Sequence, residues 1–103
     1  MKIEVLYFQG CPHHAAAVER VKESLRQEGL GAAGVDEIEV PDAERARQLQ
    51  FLGSPSIRVN GRDIEPAARA AKEFGFMCRT YQGGLPSREL IRSAIREARE
   101  REN

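Results

Sequence analysis

The strongest constraint on the fold of this chain is a strand, a helix and a second strand that follow one another from its start. Residues 3–8 are rich in β-formers and alternate in side-chain polarity, which predicts a buried strand. Residues 12–28 place their apolar side chains on one helical face, and residues 35–40 alternate again. Two strands joined by a helical crossover lie parallel in one sheet. The chain is therefore predicted to begin as the core of an α/β domain.

The middle of the chain adds a hairpin to this sheet. A second helix is predicted over residues 41–53, and a short strand over 56–59 follows it. The pair Asn60-Gly61 is typical of a tight hairpin turn, so residues 62–65 are predicted to return antiparallel to that strand. The expected fold class is α/β, with a four-stranded mixed sheet, the element order β-α-β-α-β-β-α and helices on both faces.

A segment without a place in the sheet separates the hairpin from the last helix. We treat residues 66–82 as an insertion, with a short amphipathic helix over 65–76 followed by a stretch that fits either a strand or a loop. The pair Gly83-Gly84 is expected to break the chain. The last helix presents one apolar face, formed by Leu90, Ile91, Ala94, Ile95 and Ala98.

Length and charge limit the classes of protein to consider. The chain has 103 residues, and its 16 basic residues balance its 16 acidic ones. This balance gives no electrostatic reason to expect nucleic acid or an anionic membrane as a partner. No apolar run approaches the roughly 20 residues that cross a bilayer. The start of the chain also lacks the apolar core of a secretory signal. We therefore expect a single cytoplasmic domain over residues 1–103, with neither nucleic acid nor membrane as a partner.

The sharpest chemical signal is Cys11, which lies between the first strand and the first helix. Two cysteines are too few for the disulfide framework of a small secreted domain, which uses four or more. A thiol at a helix N-terminus lies beside unpaired N–H groups and the positive end of the helix dipole, and both favour the thiolate. His13 and His14 follow it, and either can carry a proton near neutral pH. The alternative is a cysteine buried only for packing.

Three segments carry a wider pattern. Residues 11–14 place a cysteine after a strand and a histidine three positions later. Residues 53–61 contain a serine–proline pair, a strand and a hairpin turn, and Gly83-Gly84 precede the last helix. Together with the order of elements, these segments resemble the thioredoxin fold family in its short glutaredoxin-like form, across nearly the whole chain. Similar Cys-Pro motifs occur in small bacterial thioredoxin-like proteins, some of them selenoproteins and some labelled after alkylmercury lyase.

The resemblance implies roles for several residues of these segments. Cys11 corresponds to the first cysteine of the family's Cys-x-x-Cys motif, and His14 replaces the second. Cys11 is then the nucleophile, with His14 as its acid–base or thiolate partner. The resemblance also implies that Pro55 is cis and faces Cys11, and that Ser54 offers its backbone to a bound thiol. The residues expected to contact the substrate are Pro12, His13, Ser54 and Pro55.

Cys78 is a second candidate thiol. The strand over 56–59 starts beside Cys11, and its antiparallel partner must return to the same edge, so the insertion is expected to lie over that end of the sheet. A disulfide needs Cα atoms within about 7 Å, which topology does not establish. Cys78 therefore either resolves a mixed disulfide on Cys11 or fills the core as a small apolar side chain. The neighbouring Arg79 could favour the Cys78 thiolate.

These observations predict a thiol–disulfide oxidoreductase that uses Cys11 and, as the candidate resolving thiol, Cys78. No cofactor or metal is expected. The expected partners are protein or small-molecule thiols and disulfides, with glutathione as one candidate. Two alternatives stay open: a protein that binds a soft metal such as mercury through both thiolates, and a binding module without catalysis. A zinc site that adds His13 and His14 fits poorly, because consecutive helical residues point about 100° apart.

Overall fold

A computed structural model describes residues 1–81 and 84–102 of the chain. Its strands and helices follow the predicted order. In chain order they are β1 (Ile3–Tyr7), α1 (His14–Gln27), β2 (Val35–Glu39), α2 (Ala43–Gln48), β3 (Ser56–Val59), β4 (Arg62–Asp63), a 3₁₀ helix (Pro66–Ala70) and α3 (Arg88–Glu102).

The four strands form one mixed sheet in the order β2-β1-β3-β4. The strand β1 lies inside it, parallel to β2 and antiparallel to β3, and β4 pairs antiparallel with β3. Ile3 is opposite Val35 on one side and Val59 on the other. The predicted α/β class and the mixed four-stranded sheet are therefore confirmed.

Each face of the sheet has its own apolar cluster, because successive residues of β1 point to opposite sides. Ile3 and Val5 pack against α1 and α3, while Leu6 packs on the other face with α2. The larger cluster includes Ala17, Val21, Leu25, Ile57, Ile91 and Ile95, and the smaller one Val40, Ala46 and Phe51. Helices cover both faces, as predicted.

The hairpin forms where Asn60-Gly61 predicted it. Asn60 has φ 52° and Gly61 has φ 80°, the left-handed pair that a type I′ turn needs. The strand β4 is shorter than predicted. The Asp63 carboxylate accepts the N–H of Glu65 at 2.8 Å and turns the chain, and Pro66 has no N–H with which to continue a ladder.

The prediction of a helix over residues 65–76 is wrong. Only Pro66–Ala70 forms a 3₁₀ turn, and Ala71 is already extended, with φ −66° and ψ 140°. The segment is rich in alanine, and Ala67 and Ala70 are exposed. Their methyl groups have little apolar area to bury, and a short helix is marginal in water without packing.

The last helix starts at a side-chain cap. The Ser87 hydroxyl accepts the N–H of Leu90 at 3.1 Å, as a residue before a helix start commonly does. Gly84 has φ 97°. Gln82 and Gly83, which belong to the predicted insertion and chain break, lie outside the described residues. Within residues 1–81 and 84–102, no helix is long and apolar enough to cross a membrane.

Candidate functional site

Cys11 lies half-buried in the loop between β1 and α1, at the end of the sheet where β1 finishes. Its backbone N–H donates to the carbonyl of Phe8 at 3.2 Å, which folds the loop back onto the strand. The helix begins later than predicted, since His13 is the N-cap and Pro12 lies in the turn before it. Cys11 therefore lies before the N-cap, outside the helix, and the helix dipole acts on it more weakly than on a residue in the first turn.

His14, the predicted partner of Cys11, is engaged elsewhere. Its ring stacks on Tyr7, with centroids 3.6 Å apart and planes 8° apart. Its Nε2 atom lies 2.7 Å from Oε1 of Glu37 on β2. These contacts attach the start of α1 to the sheet. His13 is half-buried.

The second part of the site is the loop that leads into β3. The peptide bond between Ser54 and Pro55 is cis, which is what the resemblance implied, and both residues are buried. The Ser54 hydroxyl accepts the N–H of Phe8 at 3.2 Å. Phe8 therefore connects the two loops, because its N–H bonds Ser54 and its carbonyl bonds Cys11.

The backbone groups of Ser54 are hydrogen-bonded to the chain's own insertion. The Ser54 N–H donates to the carbonyl of Met77, and its carbonyl accepts the N–H of Arg79, both at 2.9 Å. These two bonds bracket Cys78 in a parallel bridge. We call residues 75–79 the strap. A substrate cannot pair with Ser54 in the predicted way while the strap is in place.

Arg79 anchors the strap inside the protein. Its guanidinium donates to both carboxylate oxygens of Asp63, at 2.7 and 2.9 Å, and to Glu65 at 2.6 Å. It also lies 4.6 Å from the ring centroid of Tyr81. Burial by itself lowers the pKa of Arg79, but the hydrogen bonds to Asp63 and Glu65 outweigh it, so the pKa lies above its ordinary value. The predicted role of Arg79 in activating Cys78 is therefore replaced by an anchoring role.

Tyr81 and Gly53 complete the support of the strap. The Tyr81 hydroxyl donates to the Pro55 carbonyl at 2.8 Å, and burial raises its pKa although Arg79 acts to lower it. Gly53 has φ 115°, and a Cβ there would lie 2.8 Å from the Cβ of Arg79. The roles of Asp63, Glu65 and Gly53 were not predicted from the sequence. The available signal was an aspartate within a short hairpin strand, because a carboxylate buried in a sheet needs a cationic partner.

Cys78 lies on the outer side of the strap. It is exposed, so the alternative that it fills the core is wrong. Two large apolar neighbours are also exposed, Phe76 and Met77, at 45% each. The Phe76 ring packs against Phe8 with centroids 5.0 Å apart. The strap thus contacts the residue whose carbonyl holds the Cys11 loop, and both thiols are free at this end of the sheet.

The fold and the site define a small α/β domain with a mixed four-stranded sheet and two free cysteines near the end of β1. No protein-family model, no curated protein and no solved structure matches the chain. In the part of the chain that the structure describes, no group of three or more His, Cys, Asp or Glu side chains is arranged to hold a metal ion.

Proposed function

We propose that this protein catalyses thiol–disulfide exchange through Cys11 and Cys78 on a thioredoxin-like domain. The observation that carries the proposal is the pairing of the strap with Ser54, which brings exposed Cys78 to the loop that Phe8 shares with Cys11. The cis bond before Pro55 and the order of the strands support the thioredoxin-like assignment.

The proposed reaction conserves atoms and electrons. The Cys11 thiolate attacks one sulfur of a substrate disulfide, forms a mixed disulfide and releases the first substrate thiolate. The Cys78 thiolate then attacks the Cys11 sulfur, forms the protein disulfide and releases the second substrate thiolate. Each released thiolate takes a proton from water. Two electrons pass from the protein to the substrate, and a dithiol reductant returns the protein to its starting state.

His14 has a supporting part in this proposal. The Glu37 carboxylate and the Tyr7 ring hold its imidazole against the sheet. We therefore assign the resolving step to Cys78 and leave His14 as the residue that attaches the start of α1. Protein and small-molecule disulfides, glutathione disulfide among them, are the substrates to be compared.

Disulfide mapping tests the proposal. Reduced, metal-free protein is oxidised mildly, its remaining thiols are alkylated, and its peptides are identified by mass spectrometry. We expect an intramolecular link between Cys11 and Cys78 in the monomer. The variants Cys11→Ser and Cys78→Ser serve as matched controls, and both should lose steady-state turnover of bis(2-hydroxyethyl) disulfide. If Cys78 is found alkylated, and only Cys11 is found joined to a small-molecule thiol, the two-thiol mechanism is wrong.

A further inference from the structure

Several backbone groups of the two loops beside Cys11 are already paired within the chain. The Tyr7 carbonyl accepts the N–H of Val40 at 2.7 Å, and both backbone groups of Phe8 are bonded, as described above. The Ser54 N–H and carbonyl bond the strap, and the Pro55 carbonyl accepts the Tyr81 hydroxyl. An extended peptide binds a sheet or loop edge by pairing its own backbone with free N–H and carbonyl groups. The edge at Ser54 and Pro55 is therefore occupied by the strap and is not free to bind a peptide in this way.

The strap that closes this edge is firmly attached at both ends. At one end the Gly75 N–H donates to the Phe51 carbonyl at 3.1 Å. At the other end the Arg79 guanidinium is buried against Asp63, and Gly53 leaves no room for a side chain beneath it. A peptide that replaced the strap would have to break these contacts first.

The thiols themselves stay accessible while the strap is closed. Cys78 is exposed and Cys11 is half-exposed, so a compact molecule can approach either residue without pairing to the backbone. We infer that the substrates of this protein are low-molecular-weight disulfides rather than disulfides within extended polypeptide segments. This inference rests on the proposed thiol–disulfide function and names its substrate class.

Two matched probes test the substrate class. One is the mixed disulfide of 2-mercaptoethanol with N-acetylcysteine amide, and the other carries the same disulfide on the central cysteine of an uncharged, threonine-rich peptide. Free N-acetylcysteine gives the intrinsic reactivity of each probe. Relative to that reference, we expect the full-length reduced protein to react at least about tenfold more slowly with the peptide, because backbone hydrogen bonds of the strap must break first.

A variant at the support of the strap provides a second test of the substrate class. Gly53→Ala places a Cβ 2.8 Å from the Cβ of Arg79, so residue 53 and Arg79 cannot both keep their positions and the strap loses this close support. Gly34→Ala is the matched control, since a Cβ there meets nothing within 4 Å. We expect Gly53→Ala to raise the peptide rate towards that of the small probe, and Gly34→Ala to leave the ratio unchanged. Circular dichroism confirms that each variant is folded.

The outcomes separate the two proposals. Equal corrected rates with both probes in the unmodified protein overturn the substrate class and leave thiol–disulfide exchange intact. If the reduced protein reacts with neither probe, the proposed function is overturned and this inference with it. A folded Gly53→Ala variant that keeps the full discrimination shows that the strap is not its cause, which also overturns the inference. If Gly53→Ala does not fold, the comparison in the unmodified protein decides alone.

Discussion

Arg79 is the single residue on which the candidate site depends most. It is buried with Asp63, its side chain being 8% exposed, and its backbone N–H holds Ser54 while its guanidinium holds the hairpin. One residue thus joins the strap to both the cis-proline loop and β4. A buried cation of this kind is stable only while its carboxylate partner is present, because an unpaired buried charge is costly.

Removal of Arg79 is expected to destabilise the protein strongly. Arg79→Ala leaves the Asp63 carboxylate buried without its partner, which should lower the free energy of unfolding by about 3–5 kcal/mol. Urea unfolding followed by circular dichroism measures the change. Arg88→Ala is the control, because its ion pair with Glu23 is exposed and worth at most about 1 kcal/mol. Equal losses in both variants would contradict the anchoring role.

At the scale of elements, α1 and α3 are joined at one carboxylate. Glu28 follows the last turn of α1, and its Oε2 atom accepts hydrogen bonds from Arg92 at 2.8 Å and Arg96 at 3.2 Å. Arg99 donates to the backbone carbonyl of the same residue. The arginines lie on one face of α3 because they are spaced by four and three residues. The hydrogen bonds from Arg92 and Arg96 hold the pKa of Glu28 below its ordinary value of 4.5.

This lowered pKa predicts a pH dependence of stability. The contribution of ionised Glu28 is complete above its unfolded pKa, near 4.5, and is lost as pH falls through the lower folded pKa. We therefore expect the stability difference between the unmodified protein and Glu28→Gln to be largest at neutral pH and to shrink below about pH 4.5. Urea unfolding from pH 7 to pH 3 measures it.

A matched control for this prediction lies on α3, the helix that supplies the arginines. Glu100 is an exposed glutamate of α3, and Glu100→Gln should give a stability difference that stays small throughout the same pH range. Glu97, whose pKa is also lowered through Arg69, is present in all three proteins and cancels in the comparison. A Glu28→Gln difference that does not change with pH would show that Glu28 does not couple the helices.

At the scale of the whole molecule, a bond between Cys11 and Cys78 would close most of the chain into one loop. Such a cross-link restricts the unfolded chain, and for a loop of this length the entropy model gives up to about 4 kcal/mol. We expect the oxidised protein to be more stable than the reduced protein by up to that amount, measured by urea unfolding. Cys78→Ser should show no change under the same oxidation. A less stable oxidised protein would mean that the bond forms only when the strap is displaced.

Local patterns in the sequence determined most of the regular structure. The alternation over residues 3–8 predicted β1, the helical periodicity over 12–28 predicted α1, and Asn60-Gly61 predicted the hairpin. These features depend on residues close together in the chain, through burial of one face or a preference for positive φ. The order of the strands also indicated that the insertion lies at the end of the sheet that carries Cys11.

The tertiary structure decided what happens within that insertion and around the thiol. The helix predicted there gave way to a strap, because a short helix without an apolar face to bury is marginal even when it is rich in alanine. Pairing with Ser54 and the Asp63–Arg79 ion pair stabilise the strap instead. In the same way, the His14 ring is paired with the Glu37 carboxylate. Asp63 and Ser54 lie far from Arg79 along the chain, and Glu37 lies far from His14. A periodicity of two or 3.6 residues describes only which face a side chain lies on, so it carries no information about partners that folding brings together from distant segments.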